Sequence, residues 1–269
     1  MTALLDKAAI SRSFSAAAGA YDGWASAQDQ IAEALVRRLP EGASAGRMVE
    51  LGCGTGLLAA RLLRRFPDAT LLGLDLAEGM IGACRRRFAG EPRARFVVAD
   101  AEDPAACRLT PQLCAVDLVA ASCSAQWFAD PAGTFRRWAA TLAPGGLLAA
   151  ALLVRGSYPE LDAAHHDALG TPFQGLPFPC EDEALAAASP PGVVPLVVEA
   201  ASVAVRYPSA RAALGSFRGI GAALRDQPGR AVLGAGRMRR LLAAYEARSG
   251  DGGALVTHRV LHVVARRAP

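Results

Sequence analysis

The feature that most constrains this chain is a glycine-rich turn between an apolar run and a helical stretch. Gly52, Gly54 and Gly56 occupy alternate positions directly after the apolar run that ends at Leu51, and Leu57 opens a segment with helical spacing of apolar residues. This pattern predicts a buried strand, a tight turn and a helix. Because glycine lacks a Cβ atom, such a turn lets a ligand approach backbone N–H groups. The sequence therefore predicts a cofactor site at this turn.

Further apolar runs end in polar residues. The next run ends at Asp75, about 20 residues after the glycine turn, which is the interval at which dinucleotide folds place a ribose-binding carboxylate. Asp75 also precedes a helical stretch, so its alternative role is that of a helix cap. Two later runs end at Asp100 and Ser122. We expect the four strand ends to meet along one edge of a sheet.

Strand and helix patterns alternate over residues 48–154, which predicts a parallel sheet with helices on both faces. Two β-rich runs at residues 193–207 and 254–264 extend it to seven strands. The predicted fold class is α/β, Rossmann-like, with a mostly parallel sheet. We expect one domain over residues 1–269, with helical lid elements at about residues 1–40, 156–190 and 208–250.

Composition narrows the functional classes. The 269 residues are 52% hydrophobic and 20% charged, which is enough for a well-buried core. The net charge is +4 without a basic stripe carrying aromatics, so the composition favours an acidic partner or an anionic substrate over nucleic acid. The cysteines form no C-x-x-C pair and have no histidine cluster beside them, so we expect no metal site. Without a signal-like segment or a long unbroken apolar run, we expect a soluble, cytoplasmic protein.

The glycine spacing, the acid before it and Asp75 resemble the first motifs of class I S-adenosylmethionine-dependent methyltransferases. The resemblance implies S-adenosylmethionine as methyl donor, contacted by the three glycines, with Asp75 at the ribose and Asp100 at the adenine. Glu50 would hold the methionine amino end or simply fix the loop, while Leu76 and Met80 would pack on the adenine or belong to the core. The implied cofactor-binding set is Glu50, Gly52, Gly54, Gly56, Asp75, Leu76, Met80, Asp100, Ala101 and Ser122.

Segments outside the predicted sheet point to one particular family of these methyltransferases. The stretch Arg-Gly-Ser-Tyr-Pro-Glu-Leu at residues 155–161, the stretch at 217–222 and the Asp6-Lys7 start resemble the malonyl-acyl-carrier-protein O-methyltransferases of biotin synthesis, over almost the whole chain. This implies methyl transfer to the free carboxylate of a malonyl thioester, carried by acyl-carrier protein or coenzyme A. Three positions depart from the pattern usual in that family. Cys123 stands in place of asparagine, Trp24 in place of histidine and Arg218 in place of lysine.

The same resemblance suggests substrate contacts. An ionised carboxylate needs no general base, so no catalytic base is predicted. Arg155 would grip the malonyl carboxylate, because guanidinium matches a carboxylate bidentately, and Ser157 and Tyr21 would donate hydrogen bonds. Gln126 and Trp127 would line the methyl-transfer chamber. The alternatives are that Arg155 and Ser157 cap a helix or face solvent, and that Trp127 closes the core.

Other functions remain open at this stage. A methyltransferase for a small natural product or quinone precursor would share every sheet motif, and a non-catalytic assembly factor could keep the fold. A nicotinamide-dependent oxidoreductase is disfavoured, because its fingerprint is G-x-G-x-x-G. Arg218 and Arg225 are the candidate contacts for an acidic carrier protein.

Overall fold

The computed structural model describes residues 6–109, 116–173, 175–222, 233–249 and 252–268. Strands within these residues are β1 (Arg47–Leu51), β2 (Thr70–Asp75), β3 (Ala94–Val98), β4 (Val116–Ser122), β5 (Leu142–Leu153), β6 (Val193–Tyr207) and β7 (Ala254–Arg267). Helices are α1 (Lys7–Ala17), α2 (Tyr21–Trp24), α3 (Ser26–Arg37), α4 (Leu57–Arg65), α5 (Glu78–Arg87), α6 (Pro131–Ala139), α7 (Pro159–Leu169), α8 (Glu181–Ala188), α9 (Ala210–Gly219) and α10 (Ala235–Ser249).

The seven strands form one sheet in the order β3-β2-β1-β4-β5-β7-β6. The first five pair in parallel, whereas β7 runs antiparallel to both β5 and β6. The predicted α/β fold with a seven-stranded, mostly parallel sheet is confirmed. The described residues of the first predicted lid element, at about 1–40, form the helices α1, α2 and α3.

Apolar side chains on alternate positions of the central strands build a core on each face of the sheet. Met48 belongs to a cluster with α3 and α4, whereas Val49 and Leu51 belong to a cluster with α6 and α8. Both faces are therefore covered, as an interior parallel sheet requires. A third cluster joins α7, α9 and α10 around Tyr245 and Leu241.

The strand order reverses at β1. The chain moves outward from β1 to β2 and β3 on one side, and then returns to place β4 on the other. Parallel sheets of this kind bind ligands in the crevice outside the carboxyl ends at such a reversal. The glycine turn after Leu51 and the segment after Ser122 both lie there.

Candidate functional site

A cleft with about 900 Å³ of open space, partly continuous with solvent, lies at the carboxyl ends of β1 to β4. Ten of the predicted site residues line it: Tyr21, Glu50, Gly52, Gly54, Asp75, Leu76, Asp100, Ala101, Ser122 and Trp127. The other five are not among its lining residues: Gly56, Met80, Gln126, Arg155 and Ser157. The strand ends thus bring together most of the expected cofactor side, but only part of the expected substrate side.

The glycine turn has positive φ at each of its three glycines. At Gly54, where φ is +54°, an added Cβ would have no protein atom within 4 Å, so the space beside it is open. At Gly52 an added Cβ would lie 2.4 Å from the Cβ of Ser124, whose hydroxyl donates to the Leu51 carbonyl at 2.7 Å. Gly54 therefore faces the cleft with bare backbone, whereas Gly52 allows the turn to pack against the end of β4.

Gly56 and Met80 serve packing. Gly56 precedes α4 at φ +87°, and a Cβ there would lie 2.5 Å from the Phe88 ring. Met80 is fully buried within α5. The Phe88 ring accounts for Gly56 without a ligand, and the burial of Met80 matches the core alternative for that residue.

Asp75 ties the glycine turn to the start of the next helix. Its carboxylate accepts from the backbone N–H of Gly54 at 2.9 Å and from that of Ala77 at 2.8 Å. Burial raises the pKa of Asp75, while these two hydrogen bonds act in the opposite direction. Asp75 does not cap α5, whose N-cap is Ala77 without a side-chain cap hydrogen bond; its carboxylate instead stabilises the turn and still borders the cleft.

Glu50 is a buried carboxylate at the floor of the cleft. It is 2% exposed, and its Oε2 atom has no hydrogen-bond partner among the described residues. Burial, followed by the charge of Asp75, raises the pKa of Glu50 well above its ordinary value. A buried acceptor without a partner is costly, so this oxygen is suited to a cationic donor such as an amino group of a ligand.

Asp100 borders the cleft beside Ala101, one strand further along the edge. One oxygen of Asp100 accepts from the Glu102 N–H at 2.9 Å, and the other lies 2.5 Å from the Nζ of Lys7. The Ala101 carbonyl accepts from the indole N–H of Trp138 at 2.9 Å. The acidic groups of Asp75 and Asp100 thus follow neighbouring strands, as expected for a nucleoside-binding edge.

The opposite end of the cleft is aromatic and thiol-bearing. Trp127 meets Phe14 edge to face, with ring centroids 5.2 Å apart. Cys123 has φ +53°, a region that asparagine tolerates better than cysteine, which gives a physical reason for the asparagine usual at this position. Burial raises the pKa of Cys123 to about 12, and burial also raises the pKa of Tyr21, so both groups are neutral near pH 7.

The remaining predicted substrate residues lie outside the cleft lining. Gln126 donates its amide to the Cys123 carbonyl at 2.7 Å. The Ser157 hydroxyl accepts from the Arg259 N–H at 2.9 Å, which joins the segment after β5 to β7. The Arg155 side chain is 74% exposed, and its nearest acidic partner is Glu183 at 4.0 Å.

Several lining residues had no assigned role in the sequence interpretation: Lys7, Ile10, Phe14, Gln28, Thr55 and Glu102. The positions of Lys7, Ile10 and Phe14 are three and four residues apart, which places them on one face of α1. That spacing was the available signal, but it does not say which surface the helix covers. Thr55 donates to Asp22 at 2.6 Å and so links the glycine turn to α2.

The described part of the chain holds no group of three or more histidine, cysteine, aspartate or glutamate side chains placed to bind a metal ion. None of its helices is long and apolar enough to cross a membrane.

The comparisons with known proteins agree with this geometry. A family profile described as a methyltransferase domain matches residues 49–148. A solved structure of geranyl diphosphate methyltransferase in complex with S-adenosylmethionine has a TM-score of 0.52 at 18% identity, covering 89% of this chain and 85% of that one. The strand order, the glycine turn and the profile match define this protein as an S-adenosylmethionine-dependent methyltransferase of the class I fold.

Similarity to two curated proteins extends over nearly the whole chain. The malonyl-acyl-carrier-protein O-methyltransferase of Hahella chejuensis is 32% identical over 258 residues, covering 95% of this chain and 89% of that protein. The protein of the same name from Geobacter sulfurreducens is 30% identical over 272 residues, covering 98% and 100%. The chain belongs to the malonyl-acyl-carrier-protein O-methyltransferase family, which confirms the resemblance in the sequence.

Proposed function

We propose that this protein transfers the methyl group of S-adenosylmethionine to the free carboxylate of malonyl-acyl-carrier protein, giving the malonyl methyl ester used in biotin synthesis. The observation that carries the proposal is the extent of the similarity to the two curated relatives. It reaches beyond the profile match at residues 49–148 into the helices around the cleft, where substrate specificity would reside.

The cofactor side of the cleft fits S-adenosylmethionine, which supplies an activated methyl group when bound. The Glu50 oxygen without a partner would accept from the ammonium of the methionine portion. The open backbone at Gly54 would lie against the cofactor, and Asp75 would accept from the ribose hydroxyls. Asp100 would border the adenine.

The chemistry asks for orientation rather than acid–base catalysis. A malonyl carboxylate is ionised at neutral pH and can attack the methyl group directly. Holding the reacting atoms in line can contribute roughly 7–11 kcal/mol in favourable cases. The chain therefore has to align the carboxylate with the methyl group and exclude water, tasks for which the aromatic end of the cleft is suited.

Tyr21 is the proposed donor to the substrate carboxylate within the cleft. It lines the cleft together with Cys123 and Trp127, and its pKa is raised by burial, so its hydroxyl keeps the proton that it would donate. A neutral donor orients a carboxylate while reducing its nucleophilicity less than a full ion pair would.

Arg155 has a different proposed place. Because the Cys123 N–H donates to the Ala151 carbonyl at 3.0 Å, the end of β5 lies beside the cleft, and Arg155 follows at the same sheet edge but outside the lining. Its contact with Glu183 is long and exposed, and such pairs contribute little. We propose that Arg155 exchanges this weak contact for the anionic substrate at the mouth of the cleft.

Arg155→Ala tests this role. The expected result is at least a tenfold rise in KM for malonyl-acyl-carrier protein, with an unchanged Kd for S-adenosylhomocysteine. Arg64→Ala is a matched control, since Arg64 on α4 is equally exposed at 74% and lies 3.9 Å from Glu33 on α3. Equal effects of the two substitutions on KM would remove Arg155 from the site.

The acyl-carrier protein is the proposed carrier, since an acidic partner is attracted to a chain with a net charge of +4. Arg218 is exposed near the end of α9 and remains a candidate contact. Arg225, the other candidate, lies outside the described residues.

The decisive experiment incubates the purified protein with S-adenosylmethionine and malonyl-acyl-carrier protein, and measures the intact mass of the carrier. We expect one added methyl group, and none with acetyl-acyl-carrier protein, which lacks the free carboxylate. A parallel reaction with malonyl-coenzyme A separates the two carriers. Cofactor binding without methylation of any malonyl thioester would point to a small-molecule methyltransferase, and no cofactor binding to a non-catalytic role.

A further inference from the structure

Helix α1 covers one side of the cleft. The side chains of Lys7, Ile10 and Phe14 line it from the same helix face. Lys7 lies at the end where Asp100 is found, whereas Phe14 contacts Trp127 at the aromatic end. The helix therefore spans the cleft from the nucleoside side to the methyl-transfer side.

The turn between β2 and α5 supports this helix at two points. The Ser11 hydroxyl donates to the Leu76 carbonyl at 3.0 Å, and the Gly79 N–H donates to the Ser15 hydroxyl at 3.2 Å. An added Cβ at Gly79 would lie 2.5 Å from the Ser15 carbonyl oxygen. Helix α1 is thus closely fitted to the segment that carries Asp75.

Lys7 joins the start of α1 to two acids. Its Nζ lies 2.5 Å from Asp100 and 2.7 Å from Glu102, and it is the only lysine in the chain. Among the described lining residues it is also the only one with a cationic side chain. Burial alone would lower the pKa of Lys7, but hydrogen bonds and charges from the two acids outweigh it and raise the pKa. Lys7 is therefore charged when it makes these contacts.

Glu102 is held in place from the other side. Its two oxygens accept from the backbone N–H groups of Ala129 at 2.8 Å and Asp130 at 2.7 Å, and its side chain is only 8% exposed. The Glu102 carboxylate is therefore held in a fixed position next to the start of α6. Without Lys7, the carboxylates of Asp100 and Glu102 would face each other with no cation between them.

We propose that Lys7 is a positioning residue of the cofactor site, fixing the Asp100 carboxylate and holding α1 closed over bound S-adenosylmethionine. The inference rests on the proposed function for the identity of the ligand. It adds a requirement that α1 must separate from Asp100 and Glu102 before the cofactor or its product leaves. Removing a charged partner of this kind acts mainly on dissociation.

The test measures S-adenosylhomocysteine binding by calorimetry and its dissociation rate by stopped-flow tryptophan fluorescence, for which Trp127 lies in the cleft. Lys7→Met is expected to raise Kd about tenfold, mostly through faster dissociation, while Lys7→Arg stays within about threefold of the parent. Raising the salt concentration should speed dissociation from the parent protein but have little effect on Lys7→Met.

Arg12→Met is the matched control, since it removes an exposed positive charge from the same helix and should leave Kd unchanged. A Lys7→Met protein that loses thermal stability but keeps the parent Kd and dissociation rate would overturn the proposal and leave Lys7 a purely structural role. Failure of the parent protein to bind S-adenosylhomocysteine would instead contradict the proposed function, so the two failures are distinguishable.

Discussion

The parallel and antiparallel parts of the sheet differ in where their polar groups lie. Strands β1 to β3 are 5 or 6 residues long, and the cleft-lining acids Glu50, Asp75 and Asp100 lie near or just beyond their carboxyl ends. Strands β6 and β7 are 15 and 14 residues long, and β7 buries His258 and His262 within its length. Short parallel strands expose their ends to a ligand, whereas in the long antiparallel pair β7 supplies core residues and β6 is largely exposed.

The strongest test of this contrast substitutes one glycine at the cleft end of the parallel strands and one glycine beside the antiparallel pair. Asparagine tolerates positive φ, so Gly54→Asn should fold, but its side chain would occupy the open space of the cleft. We expect the Kd for S-adenosylhomocysteine to rise by about 100-fold or more, equivalent to about 2.7 kcal/mol, with little change in Tm. Calorimetry and thermal unfolding measure the two effects.

Gly253→Asn is the counterpart at the start of β7. Gly253 has φ +81°, and an added Cβ would lie 2.3 Å from the Tyr207 carbonyl oxygen. This variant should have a lower Tm and an unchanged Kd for S-adenosylhomocysteine. The contrast fails if Gly54→Asn unfolds the protein, or if Gly253→Asn weakens binding as strongly.

Asp75→Asn should have the next largest effect. The neutral amide keeps one acceptor for the N–H groups of Gly54 and Ala77 but loses the charge offered to the ribose, so we expect Kd to rise about 10- to 50-fold. Asp117→Asn is a matched control at the opposite edge of the sheet. Its carboxylate also accepts from two backbone N–H groups, those of Gly46 and Arg47, both at 2.8 Å. A comparable loss of affinity in both variants would show that Asp75 acts through stability alone.

Tyr21→Phe tests the aromatic end of the cleft. Loss of the hydroxyl should reduce kcat/KM for malonyl-acyl-carrier protein about tenfold, as expected for one hydrogen bond to a charged group, and leave the cofactor Kd unchanged. Because the pKa of Tyr21 is raised, the ratio between parent and variant should be constant from about pH 6 to 9. Tyr245→Phe removes a hydroxyl that donates to the Leu255 carbonyl, so it should reduce stability and not turnover. A ratio that changes with pH would contradict a neutral donor.

The sequence predicted the strand ends because each apolar run is short, buried and followed by a polar residue, so a local pattern suffices. It could not separate Gly54 from Gly56, since both have positive φ and only tertiary packing places the Phe88 ring against Gly56. It also missed the ion pair between Lys7 and Asp100, because these residues are 93 positions apart. The sequence also could not place Arg155 relative to the cleft: it lies outside the lining, where the chain turns after β5 through Gly156 and Tyr158, both at positive φ.

The smallest expected effect concerns the buried histidines of the antiparallel pair. Burial lowers the pKa of His258 and of His262 to about 4, below the ordinary value of about 6.5. Between these values the unfolded chain binds protons that the folded protein does not, so the free energy of unfolding falls as the pH drops below about 6.5. Each histidine should account for about 1 kcal/mol of this loss between pH 7 and pH 5.5.

His262→Leu should therefore reduce the loss of stability between pH 7 and pH 5.5 by about 1 kcal/mol, measured by urea unfolding at both pH values. His166→Leu, which replaces an exposed histidine on α7, should leave the loss unchanged. Cofactor affinity should be the same in both variants, because neither histidine borders the cleft. Equal pH dependence in His262→Leu and the parent would mean that the unfolded and folded states bind this proton alike, and that the antiparallel pair contributes no acid sensitivity through His262.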